Sequence, residues 1–209
     1  MSKRPGAAAP SIGPAHAAKV VVALVAVLAL VGCGGSEEPA APESSPPFAD
    51  CATLTAPPPA APQVTLPGQG DPLPDVALPC FTGGQEVEVS AIRGPAVLNL
   101  WGSWCGPCRE ELPAFQRFAD RAAGKVTVIG VDIRDSRSAA SSLAEELGVT
   151  YPNLFDPSER LRAKLGITAL PATLFVDRDG RVRHVYNSTA LDEAELATLA
   201  AQHLGVTLP

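Results

Sequence analysis

Cys105 and Cys108 stand two residues apart in the stretch Trp101-Gly102-Ser103-Trp104-Cys105-Gly106-Pro107-Cys108. An apolar run, Ala96–Trp101, leads into it, and a helical pattern starting near Pro107 leads out. Two cysteines so spaced at a strand-to-helix junction point to a redox dithiol. Cys105 falls at the helix N-terminus, where unpaired backbone N–H groups and the helix dipole favour an anion. Its thiolate is therefore stabilised, and it is the expected nucleophile. Cys108 lies one turn further in. It is the expected resolving thiol, placed to attack a mixed disulfide formed at Cys105.

The elements that must position this pair follow from hydrophobic period and turn signals. Residues 76–78 form a short strand candidate, Gly83-Gly84 a turn, and Glu86-Val87-Glu88-Val89 alternates like a half-exposed strand. Together they predict a small N-terminal β-hairpin. Residues 96–101 read as a buried strand. The helix after the cysteines carries Leu112, Phe115, Phe118, Ala119 and Ala122 at helical spacing, which is a core face, and Pro113 inside it predicts a kink. A second buried strand spans 125–132, and a helix spans 138–147, stopped by Gly148. A short helix opens at Pro157-Ser158-Glu159. Strands at 173–177 and 182–186 flank an Asp179-Gly180 turn, and a closing helix covers 192–204. The order predicts an α/β fold, a mixed central sheet flanked by helices.

The chain has 209 residues and a formal net charge of −6. Lys3, Arg4 and Lys19 all lie near the N-terminus, so the remainder is more acidic still. That balance argues against nucleic acid as a partner and leaves no basic patch for a membrane surface. The three cations precede an unbroken apolar run, residues 20–31, which is short for a membrane span and right for a secretory leader. The run ends Leu30-Val31-Gly32-Cys33 and resembles a bacterial lipoprotein signal. The resemblance implies removal of residues 1–32 and a lipid on Cys33; the bland alternative is an uncleaved signal anchor. Either way the rest of the chain lies on the extracytoplasmic face of the cell membrane, where disulfides persist. Residues 33–70 are rich in proline and alanine and read as an extended tether, with residues 71–209 as the folded domain. Phe48 and Cys51 break the tether's pattern and mark where the chain first touches that domain. The cysteines number five, an odd count that Cys33 explains. Cys51 and Cys80 then read as a structural disulfide stapling the proline-rich segment down, with a loop-closure stabilisation of about 3–4 kcal/mol. A second redox pair is the other reading.

The stretch around Cys105 resembles the thioredoxin active site. Pro113 falls where thioredoxins have a helix proline. Ile167-Thr168-Ala169-Leu170-Pro171-Ala172-Thr173-Leu174 resembles the segment that carries their cis-proline. With the lipoprotein leader, Asn99 and Arg109-Glu110-Glu111-Leu112-Pro113, the likeness narrows to the extracytoplasmic TlpA/ResA-like thioredoxins of bacterial envelopes. It covers about residues 71–205 and implies a thioredoxin-like fold with a β-hairpin extension. It also implies a cis Pro171 packed against the disulfide, and a Leu170 backbone that pairs with a bound peptide as an added strand. Trp104 would cover the site and Trp101 support it, although plain packing accounts for both. Thioredoxins proper have a buried Asp where this chain has Asn99, and Asn cannot accept a proton. TlpA/ResA-like proteins have instead a Glu three residues after the second cysteine, here Glu111. That spacing puts its carboxylate on the side of Cys108, where partial burial would raise its pKa and let it relay the Cys108 proton. The bland reading is a solvated Glu like Glu110.

Other chemistries find little support. Arg109 follows Cys108, so the haem-attachment motif is absent, and with no second CxxC and no nearby His no metal or other cofactor is expected. His184 and His203 read as surface residues. Arg109 reads equally as a thiolate-stabilising or a solvated cation. Asn187-Ser188-Thr189 matches a glycosylation sequon, discounted for a bacterial chain. The expected function is a membrane-tethered, monomeric thiol–disulfide oxidoreductase that reduces disulfides in exported proteins, apocytochrome c among them. Its electrons would come from a membrane reductase. The alternatives are a disulfide-forming oxidase and a redox-inert peptide- or copper-binding lipoprotein.

Overall fold

A computed structural model of the protein describes residues 45–57, 70–122 and 124–208. The expected signal peptide, Cys33 and the greater part of the tether lie outside the described residues. The main sheet has six strands in the order β1-β8-β7-β4-β5-β6. In chain order these are β1 (Asp71–Pro72), β4 (Ala96–Trp101), β5 (Thr127–Ile133), β6 (Asn153–Asp156), β7 (Ala172–Val176) and β8 (Arg181–Tyr186). β4, β5 and β6 run parallel, while β7 and β8 are antiparallel additions, so the sheet is mixed as the pattern predicts. β2 (Ala77–Pro79) and β3 (Glu86–Glu88) pair as the expected hairpin. The helices are α1 (Gly106–Ala122), α2 (Arg137–Leu147), α3 (Arg160–Lys164) and α4 (Glu193–Leu204).

Strand alternation divides the core into two layers. Val97, Trp101 and Val128 face α1, α2 and α4, meeting Leu112, Phe115, Phe118, Leu143, Leu196 and Leu204. Leu98, Leu100, Ile129 and Val131 face the other way, onto Leu161 of α3, Ile167 and the hairpin residues Leu78 and Val87. β4 is buried along its whole length because both of its faces are covered. Local signals end the helices where the sequence places them. The Ser136 hydroxyl caps α2 and Gly148, at φ 68°, terminates it; Asp192 and Glu195 form a capping box at the start of α4.

Four features differ from the sequence reading. β6 is an additional strand, where the sequence pattern assigns no element: prolines bracket it and its buried polar residues break the apolar period. β1 pairs with β8, a two-residue contact too short to leave a periodic signal. His184 and His203 are half-buried rather than surface residues: their rings stack 4.0 Å apart beside Phe175. Their pKa values are lowered, chiefly by that burial. Finally, the domain boundary at residue 71 falls late: residues 45–57 already pack on the domain, as the break in the tether's pattern at Phe48 and Cys51 predicts. Phe48, Cys51 and Leu54, inside the expected tether, are buried at 3%, 2% and 3% exposure, and Ala49 N–H donates to the Thr150 carbonyl. Among the described residues no helix is long and apolar enough to cross a membrane.

Candidate active site

β4 delivers Trp101 to the end of the sheet, and the chain turns through Gly102–Trp104 into α1. Cys105 N–H donates to the Gly102 carbonyl, and the Cys105 carbonyl accepts the Arg109 N–H, so Cys105 occupies the cap position of α1. Cys105 and Cys108 are joined by a disulfide across the first helical turn, with Cα atoms 5.3 Å apart. The Cys108 N–H points at Cys105 Sγ, 3.3 Å away. This backbone donor, with the positive end of α1, is what stabilises a thiolate at Cys105 once the disulfide opens. Cys105 keeps 5% exposure and Cys108 none. The outer sulfur is therefore the one that an incoming thiol or disulfide reaches first.

Glu111 is 1% exposed, more deeply buried than helix spacing alone implies. Asn99 Nδ2 donates to its Oε1 at 2.6 Å and Leu191 N–H to its Oε2 at 3.1 Å. Burial pushes its pKa from 4.5 up to about 7, against the two hydrogen bonds, which pull it down. Asn99, which cannot itself carry the proton, thus orients the group that can. The same environment raises the Tyr151 hydroxyl well above its ordinary pKa, through burial and then the charge of Glu111.

Sequence reasoning missed a second buried acid. Asp132 is paired in register with Trp101, so it shares the face that carries α1, and it is fully buried. Burial, then the neighbouring Asp135 carboxylate, raises its pKa to about 9. Asp135 in turn accepts the Ser103 N–H at 2.5 Å and so ties the active-site turn to the end of β5. The only sequence signal was an acid inside an otherwise apolar strand.

Trp104 is 48% exposed. Its Nε1 donates to the Ile133 carbonyl at 3.1 Å, and the Arg134 guanidinium lies 4.9 Å from the ring centroid. Gly102 makes this possible, since a Cβ there would come within 2.6 Å of Trp104 Nε1. Arg134 and its ion-pair partner Glu159 both hold left-handed backbone angles, φ 50° and 57°, which is strain concentrated at the rim of the site. Trp101 is fully buried and donates from Nε1 to Asn153 Oδ1 at 2.8 Å. Leu170 and Pro171 lie at the start of β7, and the peptide bond between them is cis, as is Gly94–Pro95. Arg109 is exposed on α1. Cys51 and Cys80, away from α1, form a second disulfide and are 2% and 0% exposed. Among the described residues no three or more His, Cys, Asp or Glu side chains gather as metal ligands would.

A disulfide at the N-terminus of a helix, on a mixed sheet and with a proline-preceded strand beside it, has known relatives. Residues 69–185 match the AhpC/TSA family. The chain belongs to that family. Among curated relatives of this AhpC/TSA chain is the thiol–disulfide oxidoreductase ResA of Geobacillus thermodenitrificans, 29% identical over 126 residues, covering 59% of this chain and 72% of that one. The thiol:disulfide interchange protein DsbE of Pseudomonas fluorescens is 31% identical over 119 residues, covering 56% and 65%. Among solved structures, a DsbF homologue from Corynebacterium diphtheriae superposes with TM-score 0.57 at 28% identity, covering 65% of this chain and 88% of that one. A secreted Mycobacterium tuberculosis disulfide oxidoreductase homologous to E. coli DsbE does so with TM-score 0.55 at 25% identity, covering 61% and 95%. The fold is thioredoxin-like, and the protein is a thiol–disulfide oxidoreductase of the ResA/DsbE type.

Proposed function

We propose that the protein reduces disulfides in exported proteins at the extracytoplasmic face of the membrane, held there by a lipid on Cys33. The observation that carries this reading is the Cys105–Cys108 pair at the start of α1 with the buried carboxyl of Glu111 one turn along. In the reduced enzyme, Cys105 thiolate attacks one sulfur of a substrate disulfide, and the other substrate sulfur leaves as a thiolate. Cys108 gives its proton to Glu111 and attacks Cys105 Sγ. The bond to substrate breaks, the substrate departs with two reduced sulfurs, and the enzyme keeps the disulfide. A membrane dithiol reductase returns the two electrons. Glu111 suits the proton step because its pKa of about 7 lets it hold or release a proton near neutrality. The substrate, an apocytochrome c or another exported protein, enters as an extended segment. It pairs with the Leu170 backbone beside Pro171, under the exposed face of Trp104. Gly106-Pro107 between the cysteines supports the reducing direction through its likeness to reducing thioredoxins.

Insulin reduction by the purified protein, with Cys105→Ser as control, tests the activity: turnover is expected for the parent and none for the variant. The Cys105/Cys108 potential, equilibrated in glutathione buffers, tests the direction. A value near that of thioredoxin, about −270 mV, is expected, and one near that of DsbA, about −120 mV, would overturn the reductase in favour of an oxidase.

A further inference from the structure

We infer that Asn187 is a positioning residue that clamps the substrate-binding segment Ala169–Pro171. Asn187 follows β8, directly after Tyr186, which pairs with Thr173 of β7. Its Nδ2 donates to two carbonyls at once, Ala169 O at 3.0 Å and Pro171 O at 2.7 Å. One amide nitrogen carries two N–H groups, and both are used here on the carbonyls that flank Leu170. The backbone of Leu170 itself takes part in no hydrogen bond among the described residues. Asn187 thus engages the acceptors on either side of Leu170 and leaves Leu170's own N–H and carbonyl for an incoming strand. Without the clamp, those two carbonyls would be free to turn toward water, and the segment would have to be ordered anew each time substrate binds. The residue type follows from this geometry. Asp has the same shape but only acceptors, and would set a carboxylate against two carbonyl oxygens. Ala leaves both acceptors without a partner.

The inference rests on the proposal that substrate pairs with the Leu170 backbone, and the experiment separates the two. Purified full-length protein and its Asn187→Asp and Asn187→Ala variants are assayed on a disulfide-bonded peptide and on hydroxyethyl disulfide, which has no peptide backbone. The loss of two neutral hydrogen bonds from the binding segment predicts a KM for the peptide raised about five- to tenfold. The kcat and the turnover of hydroxyethyl disulfide should stay within about twofold and the Cys105/Cys108 potential should be unchanged, since the hydrogen bonds of Asn187 go to the Ala169 and Pro171 carbonyls and not to the cysteines. A peptide KM unchanged in both variants overturns the clamp. So does an equal loss on both substrates, which would mean general distortion of the site. If the unsubstituted protein shows no preference for the peptide over hydroxyethyl disulfide, the pairing at Leu170 fails, and the clamp with it.

Discussion

Glu111 and Asp132 are both buried on the α1 side of the sheet, and both hold protons well above the ordinary range of carboxylic acids. That makes them a cost to folding as pH rises. In the unfolded chain Glu111 ionises near 4.5, whereas in the fold it does so near 7. Between those values the folded form carries the extra proton, so stability is complete below about 4.5 and is lost as pH rises through 7. The size of this loss is on the order of 3 kcal/mol. Asp132 works with the same sign over a wider window, from 3.8 to about 9. Denaturant unfolding of the parent should therefore weaken steadily from pH 5 to pH 9. Asp132→Asn should flatten that decline over the whole range, and Glu111→Gln only its portion below about pH 7. A parent curve that is flat from pH 5 to 9 would rule out buried neutral acids at both positions. The two variants should part company in function. Glu111→Gln removes the proton acceptor assigned to Cys108 and should slow exchange, whereas an unaltered exchange rate would sink the relay.

Among elements, β5 and β6 show most clearly what pattern reading reaches and what it misses. β4, β5, α1, α2 and the β7–β8 hairpin were legible because their apolar residues recur at the period of their own geometry and Gly148 and Asp179-Gly180 punctuate them. β6 was not. Asn153 and Asp156 are buried in it, and their polarity is spent at long range: Asn153 on the indole of Trp101, Asp156 on the N–H groups of Arg160 and Leu161 at the start of α3. No local rule shows that a polar residue has such a partner. The same holds for the site. The cysteines, Pro171 and Glu111 could be named from spacing and resemblance, but the Asn99–Glu111 bond and the burial of Asp132 depend on which strands become neighbours. Gly130 is part of this arrangement. It is opposite Asn153 in register, and a Cβ there would lie 1.8 Å from Asn153 Oδ1, the acceptor for Trp101. Gly130→Ala must displace that side chain and leave the buried Trp101 N–H without its acceptor. The expected cost is about 2–4 kcal/mol, from an unsatisfied donor and overpacking together. Equilibrium unfolding measures it, and a loss below about 0.5 kcal/mol would mean that the β5–β6 seam adjusts without needing glycine.

At the scale of the whole molecule, residues 45–57 belong to the fold. Phe48 packs edge-on against Phe81, with ring centroids 4.7 Å apart, and lies 6.3 Å from the ring of Trp101, the last residue of the strand that carries the redox turn. Three residues on, Cys51 is tied to Cys80, whose backbone bridges to Leu154 and so covers part of the open edge of β6. The disulfide therefore fixes where residues 45–57 dock on the domain, close to the end of the strand that carries Trp101. The link spans 29 positions, for which loop closure predicts about 3–4 kcal/mol of stabilisation. Replacing both Cys51 and Cys80 by Ser should remove about that much in denaturant unfolding, and release of Phe48 should shift the fluorescence of the buried Trp101. The Cys105/Cys108 potential should hardly move, because Cys51 and Cys80 pack in the core layer of Leu98 and Leu100, whereas Cys105, Cys108 and the apolar face of α1 belong to the other layer. A potential that shifted together with stability would instead make the second disulfide part of the redox centre, the reading that its burial at the far edge of β6 argues against.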